Sequence, residues 1–270
     1  MSGRVLVVAG SDSGGGAGIQ ADIKTVMALG GYATTAITAL TAQDTNGVHG
    51  VHPVPPAFVR QQIALALADI GADAVKTGML GDPALIEAVA GALSGAGLPF
   101  VLDPVMVAKG GAPLLDPGAV AILRRCLLPL ATLITPNVPE AAVLCGRAIE
   151  SVDDMRRATE ALLTLGSPAV LLKGGHLEAP EVTDLLATAD GTVAFTRPRL
   201  ATRHTHGTGC TFASAIATGL AQGMALHASV ARARDYVQAA IASAPGLGRG
   251  HGPLNHLVPA LPFTAPPLAR

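Results

Sequence analysis

Several things are scarce in this chain, and each scarcity excludes something. Only three cysteines occur in 270 residues, an odd, sparse number that offers no disulfide framework and suits a reducing compartment. No uninterrupted apolar run reaches the roughly 18 residues of a membrane span. The first apolar stretch, Val5 to Ala9, is too short for a secretory signal and runs straight into a glycine loop. These features place the protein in the cytoplasm, away from membranes. Net charge is only −1 at pH 7, so no basic field exists to attract nucleic acid. Half the residues are apolar, which excludes disorder, and the glycines and prolines follow no collagen period. No repeat, low-complexity tract or linker interrupts the chain, and 1–270 reads as one domain. Lysine is scarce too: four against fourteen arginines. Lys24, Lys76, Lys109 and Lys173 therefore stand out.

What is present is an alternation of short apolar runs with longer segments of helical period. Arg4–Ala9, Thr34–Leu40, Ala74–Thr77, Phe100–Asp103, Leu133–Thr135 and Ala169–Lys173 read as buried strands. Pro56–Ile70, Pro83–Leu93, Pro117–Leu128 and Ser151–Leu165 read as helices, opened by first-turn prolines or by the Ser151-x-x-Asp154 pattern. Asp184–Ala189 and Val193–Thr196 form a hairpin around Asp190-Gly191, and helices Cys210–Gln222 and Ser229–Ala244 follow. The expected fold is α/β: three layers, with a mostly parallel central sheet and helices on both faces. Ligands of such sheets bind beyond the carboxyl ends of the strands. Polar and glycine residues gather there: Gly10–Gly16, Thr41–Asp44, Gly78-Met79, Asp103-Pro104, Pro136-Asn137 and Gly174-Gly175.

Gly207-Thr208-Gly209-Cys210 precedes an amphipathic helix, so converging amides and the helix start can form an anion hole. The plainer alternative is a glycine loop with Thr208 as helix cap. Cys210 lies where the helix field favours thiolate, a candidate proton acceptor for a substrate hydroxyl; otherwise it is a small buried residue, as Cys126 and Cys145 are read. Asn137 and Glu140, three apart at a strand end, suit Mg²⁺ held largely through water, with Asp103 joining them; alternatively they form a helix cap. Lys173 ends an apolar strand before two glycines and suits phosphate oxygens, or is a solvated strand end. Two rivals exist. Gly16-x-Gly18-x-x-Ala21 matches a dinucleotide fingerprint, which would suit an NAD-dependent oxidoreductase, although no acid closes the second strand. His204-x-His206 with Cys210 suggests zinc but lacks a fourth ligand. A Walker A loop is absent. A non-catalytic nucleotide-binding regulator is disfavoured by the joint presence of Lys173, Asn137, Glu140 and Cys210.

Together the segments Ala9–Asp22, Thr38–Gln43, Lys76–Leu80, Asp103–Met106, Asn137–Glu140 and Gly207–Cys210 resemble the ribokinase-like superfamily, and within it the hydroxymethylpyrimidine/phosphomethylpyrimidine kinases of thiamine biosynthesis. The resemblance implies ATP- and Mg²⁺-dependent phosphorylation of 4-amino-5-hydroxymethyl-2-methylpyrimidine to its monophosphate and then its diphosphate, by a homodimer. It implies substrate contacts from Gly10, Asp22, Gln43, Met79 and Val105. It places ATP phosphates at Lys173 and Thr208, with Asn137 nearby, and Mg²⁺ at Asn137, Glu140 and Asp103. Gly207, Gly209, Cys210 and Lys173 then form the catalytic group. Pyridoxal kinase of the same superfamily is the nearest alternative. Most sugar kinases of this type carry Asp where Cys210 stands; a loose phosphoryl transfer needs little from a base, so the anion hole and Lys173 carry most of the work. The backbone donors around Gly14–Gly18 are expected to hold the extra phosphate of the second step. Met106–Leu115, with Lys109-Gly110-Gly111, has the composition of a lid.

Overall fold

The computed structural model describes residues 2–107, 111, 114–116 and 118–258. Lys109 and Gly110 of the expected lid, and Pro117 at the expected start of one helix, lie outside the described residues. Among the described residues, nine strands form one sheet in the order β3-β2-β1-β4-β5-β6-β7-β8-β9. They are β1 (Arg4–Asp12), β2 (Tyr32–Gln43), β3 (Val48–Pro53), β4 (Ala74–Thr77), β5 (Phe100–Leu102), β6 (Leu133–Ile134), β7 (Ala169–Leu172), β8 (Glu181–Thr188) and β9 (Gly191–Pro198). The pairs from β2 through β1, β4, β5 and β6 to β7 are parallel. Antiparallel pairs finish both edges: β2–β3 on one side, β7–β8–β9 on the other. The helices are α1 (Gly18–Ala28), α2 (Pro56–Asp69), α3 (Pro83–Leu93), α4 (Ala119–Cys126), α5 (Val138–Cys145), α6 (Val152–Leu163), α7 (Thr208–Ala221) and α8 (Leu226–Ala242).

Strand alternation divides the interior into two cores. Leu6 and Val8 of β1 point toward α2–α6, with Ile63, Ile86, Leu123, Leu144 and Met155. Val5, Val7 and Ala9 point toward α1, α7 and α8, with Ile19, Phe212, Ile216, Val230 and Val237. Both faces are thus apolar, as a sheet covered on both sides requires. Helix starts are set by local chemistry: Asp82 accepts from the Leu85 amide at 2.9 Å ahead of Pro83, and Ser151 accepts from the Asp154 amide at 3.1 Å.

β1 has β2 on one side and β4 on the other, so chain order reverses beside it. A crevice opens at such a reversal, beyond the strand ends. The ends of β1, β4, β5, β6 and β7 all exit on that edge because they run parallel.

One buried ion pair ties the far side of the sheet to α8. Arg234 Nε lies 2.9 Å from Asp184 Oδ2, both side chains almost fully buried, and Asp184 Oδ1 accepts from the Gly174 amide at 2.9 Å. Arg234→Met leaves that carboxylate uncompensated and is expected to cost about 3–5 kcal/mol of stability in urea unfolding. Adding Asp184→Asn, which keeps the Gly174 acceptor, should recover most of it.

Candidate active site

The start of α7 is built to leave amides free. Gly207, at φ 84° and ψ 6°, is its cap residue, and no side chain caps it. A β-carbon on Gly207 would collide with the Gly16 carbonyl, so only glycine fits. The Thr208 hydroxyl does not serve as the cap; it donates back to the Thr205 carbonyl at 2.7 Å. The first-turn amides of Gly209 and Cys210 therefore face the crevice with the positive end of the helix dipole behind them. A β-carbon at Gly209 would lie 3.4 Å from Lys173 Nζ and 3.7 Å from Asp103 Oδ2. Anion hole, ammonium and carboxylate thus converge.

Lys173 Nζ donates to Asp103 Oδ1 at 2.9 Å, and Thr135 Oγ1 donates to the same oxygen at 2.9 Å. Burial works against the ammonium, but Asp103 and Glu140 outweigh it and raise the Lys173 pKa. Asn137 and Glu140 form a reciprocal capping box: Asn137 Oδ1 accepts from the Glu140 amide at 2.9 Å, and Glu140 Oε2 accepts from the Asn137 amide at 2.8 Å. The plainer reading of this pair as a helix cap is realised in full. Their i, i+3 spacing serves the helix, and the Asn137 oxygen is occupied. Burial pushes Glu140 up to about 7, with Lys173 pulling it down and Asp103 pushing it up. Among the described residues, no three His, Cys, Asp or Glu side chains gather as a metal-binding group. Asp103 and Glu140 are nevertheless hard oxygen donors, and such a small set fits a Mg²⁺ that keeps most of its own water.

The first glycine loop corrects an expectation. Asp12, 3% exposed, gathers the loop around itself: Oδ1 accepts from the Gly14 amide at 2.8 Å, and Oδ2 from Gly16 at 3.1 Å and Ala17 at 2.8 Å. The Gly15 amide binds the Asp12 carbonyl at 2.9 Å. These donors are spent, so they hold neither an incoming phosphate nor a dinucleotide pyrophosphate. The NAD fingerprint reading falls on the same ground. Burial pushes Asp12 up, but His206 and the Ala17 and Gly14 amides hold it below the usual carboxylate value.

His206, which the sequence offers only as a conceivable zinc ligand, has another role. It is buried, with Nε2 2.8 Å from Asp12 Oδ2 and 3.4 Å from Gln43 Nε2. That pairing, rather than zinc, accounts for it. Asp12 and His206 are 194 residues apart, so no local spacing announces them; the only local signal is an Asp at the head of a glycine run. Gln43 Oε1 accepts from Thr41 Oγ1 at 3.1 Å. A β-carbon at Gly10 would lie 3.2 Å from Met79 Sδ, so these two expected substrate residues adjoin. Half-buried Val105 follows Asp103, its amide bonded to the Asp103 carbonyl at 2.9 Å.

Two further expectations change. Asp22 is fully buried and does not open to the crevice. Its oxygens receive Lys76 Nζ at 2.8 and 3.0 Å and Ser214 Oγ at 2.6 Å. Direct contact between Asp22 and the ring gives way to support from beneath. Nor is Cys210 a thiolate: burial pushes its pKa up to about 11, Lys76 pulls it down, and Asp22 and Asp103 push it up again. The helix field was legible; the two carboxylates beneath it were not.

A model of the phosphomethylpyrimidine kinase family matches residues 12–255. The chain is 49% identical to the hydroxymethylpyrimidine/phosphomethylpyrimidine kinase of Streptomyces coelicolor, covering 93% of each chain. It is 55% identical to the thiamine biosynthesis bifunctional protein ThiED of Geobacter sulfurreducens, over 96% of this chain and 53% of that one, about half the relative's length. Among solved structures it resembles an ADP complex of Bacillus subtilis pyridoxal kinase, with a TM-score of 0.90 and 38% identity over 96% of this chain and 98% of that one.

An acid whose folded-state pKa is raised binds a proton on folding, so its stabilising share is complete below the unfolded value and is lost as pH rises through about 7 for Glu140. Glu140→Gln keeps the acceptor for the Asn137 amide without the charge. It is expected to raise the melting temperature by roughly 3 °C or more at pH 8 and to change it little at pH 5. A difference independent of pH in thermal melts contradicts a neutralised Glu140.

Proposed function

The chain belongs to the phosphomethylpyrimidine kinase family, and we propose from that premise how its residues carry out the reaction. The enzyme transfers the γ-phosphoryl group of ATP to the hydroxymethyl group of 4-amino-5-hydroxymethyl-2-methylpyrimidine, then phosphorylates the monophosphate to the diphosphate, in thiamine biosynthesis. The observation that carries the mechanism is the uncapped start of α7 beside Lys173.

The amides of Gly209 and Cys210 receive the migrating phosphoryl group, with Gly207 shaping the turn. Lys173 and Thr208 hold the ATP phosphates, and Asn137 fixes the adjoining strand end through its bridge to Lys173. Gly10, Met79 and Val105 wall the pyrimidine, while Gln43, fixed by Thr41, addresses its amino edge. Cys210 enters the reaction as a neutral thiol. In a loose transfer the acceptor proton leaves late and passes to an oxygen of the transferred phosphoryl group, so the thiol needs only to sit beside the alcohol and the anion hole. Asp103 and Glu140 are the residues that would hold Mg²⁺, mostly through its water. When bound, that ion offsets phosphate charge and orients the leaving oxygen.

The proposal includes one kinase domain, acting as a cytoplasmic homodimer. Among the described residues no helix is long and apolar enough to cross a membrane. Leu40 and Val51 stay exposed on the β2–β3 edge, where a second copy can pack.

The pyridoxal kinase likeness makes pyridoxal the comparison that matters. Coupled ADP-release assays are expected to show turnover of the pyrimidine alcohol and its monophosphate at least about ten times that of pyridoxal, and none once Mg²⁺ is chelated. Preference for pyridoxal reverses the substrate assignment. Gly209→Asp places a carboxylate against Asp103 and in the anion hole, and turnover is expected to fall by about 10³ or more with the fold intact by circular dichroism. An active Gly209→Asp enzyme removes the anion hole from the mechanism.

A further inference from the structure

Lys76 has no part in the mechanism above, yet it is 0% exposed beneath the crevice. β4 alternates, with Val75 in the core shared with α2–α6, so Lys76 points to the opposite face, under α1 and α7. Those helices meet there in two rungs. Gly18 and Asp22 are four apart on α1, and Cys210 and Ser214 are four apart on α7, so each pair shares one helix face. The upper rung is the close approach of the two helix starts, where a β-carbon on Gly207 would collide with the Gly16 carbonyl; the lower is Ser214 Oγ to Asp22 Oδ1 at 2.6 Å. Lys76 Nζ reaches into this ladder from the sheet, binding both Asp22 oxygens, and a β-carbon at Gly78 would lie 3.2 Å from it.

An ion pair this deep is a costly way to gain stability, since apolar residues of similar volume commonly do as well. Its orientation gives it another use. The charged groups acting on the Cys210 sulfur are Lys76, Asp22, Asp103 and Lys173, and the pull of Lys76 exceeds the push of either carboxylate. We propose that Lys76 is a positioning residue for the transfer: with Asp22 it forms a fixed buried dipole whose positive end faces Cys210 and favours negative charge gathering at the α7 entrance. In so dry a place an oriented charge acts strongly and needs no rearrangement as the reaction proceeds. The role rests on the kinase reading, because it is the alcohol and phosphoryl oxygens that bring that charge.

The test follows iodoacetamide alkylation of Cys210 against pH by mass spectrometry, beside steady-state kinetics. The paired variant Lys76→Met with Asp22→Asn removes the dipole without stranding a charge. Alkylation at pH 9 and kcat are each expected to fall about tenfold, one pKa unit's worth, with both KM values within about twofold. A folded double variant with unchanged alkylation and kcat overturns the proposal. Lys76→Gln alone removes the positive end and keeps a donor toward Asp22, so alkylation should slow; no change, or quickening, overturns it as well, even if the double variant fails to fold. Ser214→Ala loosens the lower rung but keeps both charges, and should lower stability while leaving the alkylation profile in place; an equal shift there assigns the effect to packing and ends the proposal. Alkylation needs no turnover, so a wild-type protein inactive on the pyrimidine refutes the kinase reading separately.

Discussion

One carboxylate organises the centre of this molecule. Asp22 is out of reach of water, and a charge so placed survives only with compensating charge and donors around it. Lys76 supplies the charge from β4 and Ser214 a hydroxyl from α7, so a helix, a strand and a second helix distant in sequence are held at one point. The consequence is felt a turn higher. With α1 and α7 fixed in register, Gly207 closes against Gly16, which sets the α7 entrance beside the paired strands β1 and β4. The position of the anion hole follows from where a buried acid is neutralised.

The charges above that point are also arranged for exchange. Lys173 is shared between Asp103, which it touches, and Glu140, which it pulls down against the push of burial. On the proposed reading, a nucleotide phosphate at Lys173 would compete with both carboxylates for the same ammonium. Glu140, pushed up to about 7, would then answer by taking a proton, and Asp103 would be freed for a hydrated cation. The site is therefore close to neutral before substrate arrives and compensated after it. Both states require the same few groups in fixed places, which is why the capping box at Asn137 and the Asp184 anchor on Gly174 matter: they hold the backbone on either side of Lys173.

How much of this the sequence disclosed depends on the range of each interaction. Ala74–Thr77 and Pro83–Leu93 are bounded in the structure where their turn residues and prolines place them, because the deciding contacts are local. β3 escaped notice: Val48–Pro53 contains a glycine, two histidines and a terminal proline and is almost wholly exposed, so its pairing with β2 comes from backbone hydrogen bonds rather than an apolar pattern. The thiolate expected at Cys210 failed for a related reason. The helix start that favours it is written in neighbouring residues, whereas Asp22 and Asp103, which oppose it, arrive from 188 and 107 positions away. The Asp12–His206 contact is of the same kind.

Most instructive are the two glycine-rich runs, alike in composition and opposite in use. Each presents several amides in a tight turn, the usual ingredient of a phosphate cradle. The run after β1 carries its own acceptor: Asp12 stands at its head, and the chain folds back so that Gly14, Gly16 and Ala17 donate to it. The run before α7 carries none. Its one hydroxyl, on Thr208, turns away to Thr205, and its cap residue is a glycine without a side chain. Every amide needs a partner, so donors already engaged give rigidity and donors left open give binding. Counting glycines cannot separate the two cases. Asking which amides already have an acceptor does, and it leaves the start of α7, beside Lys173, as the turn whose donors stay open.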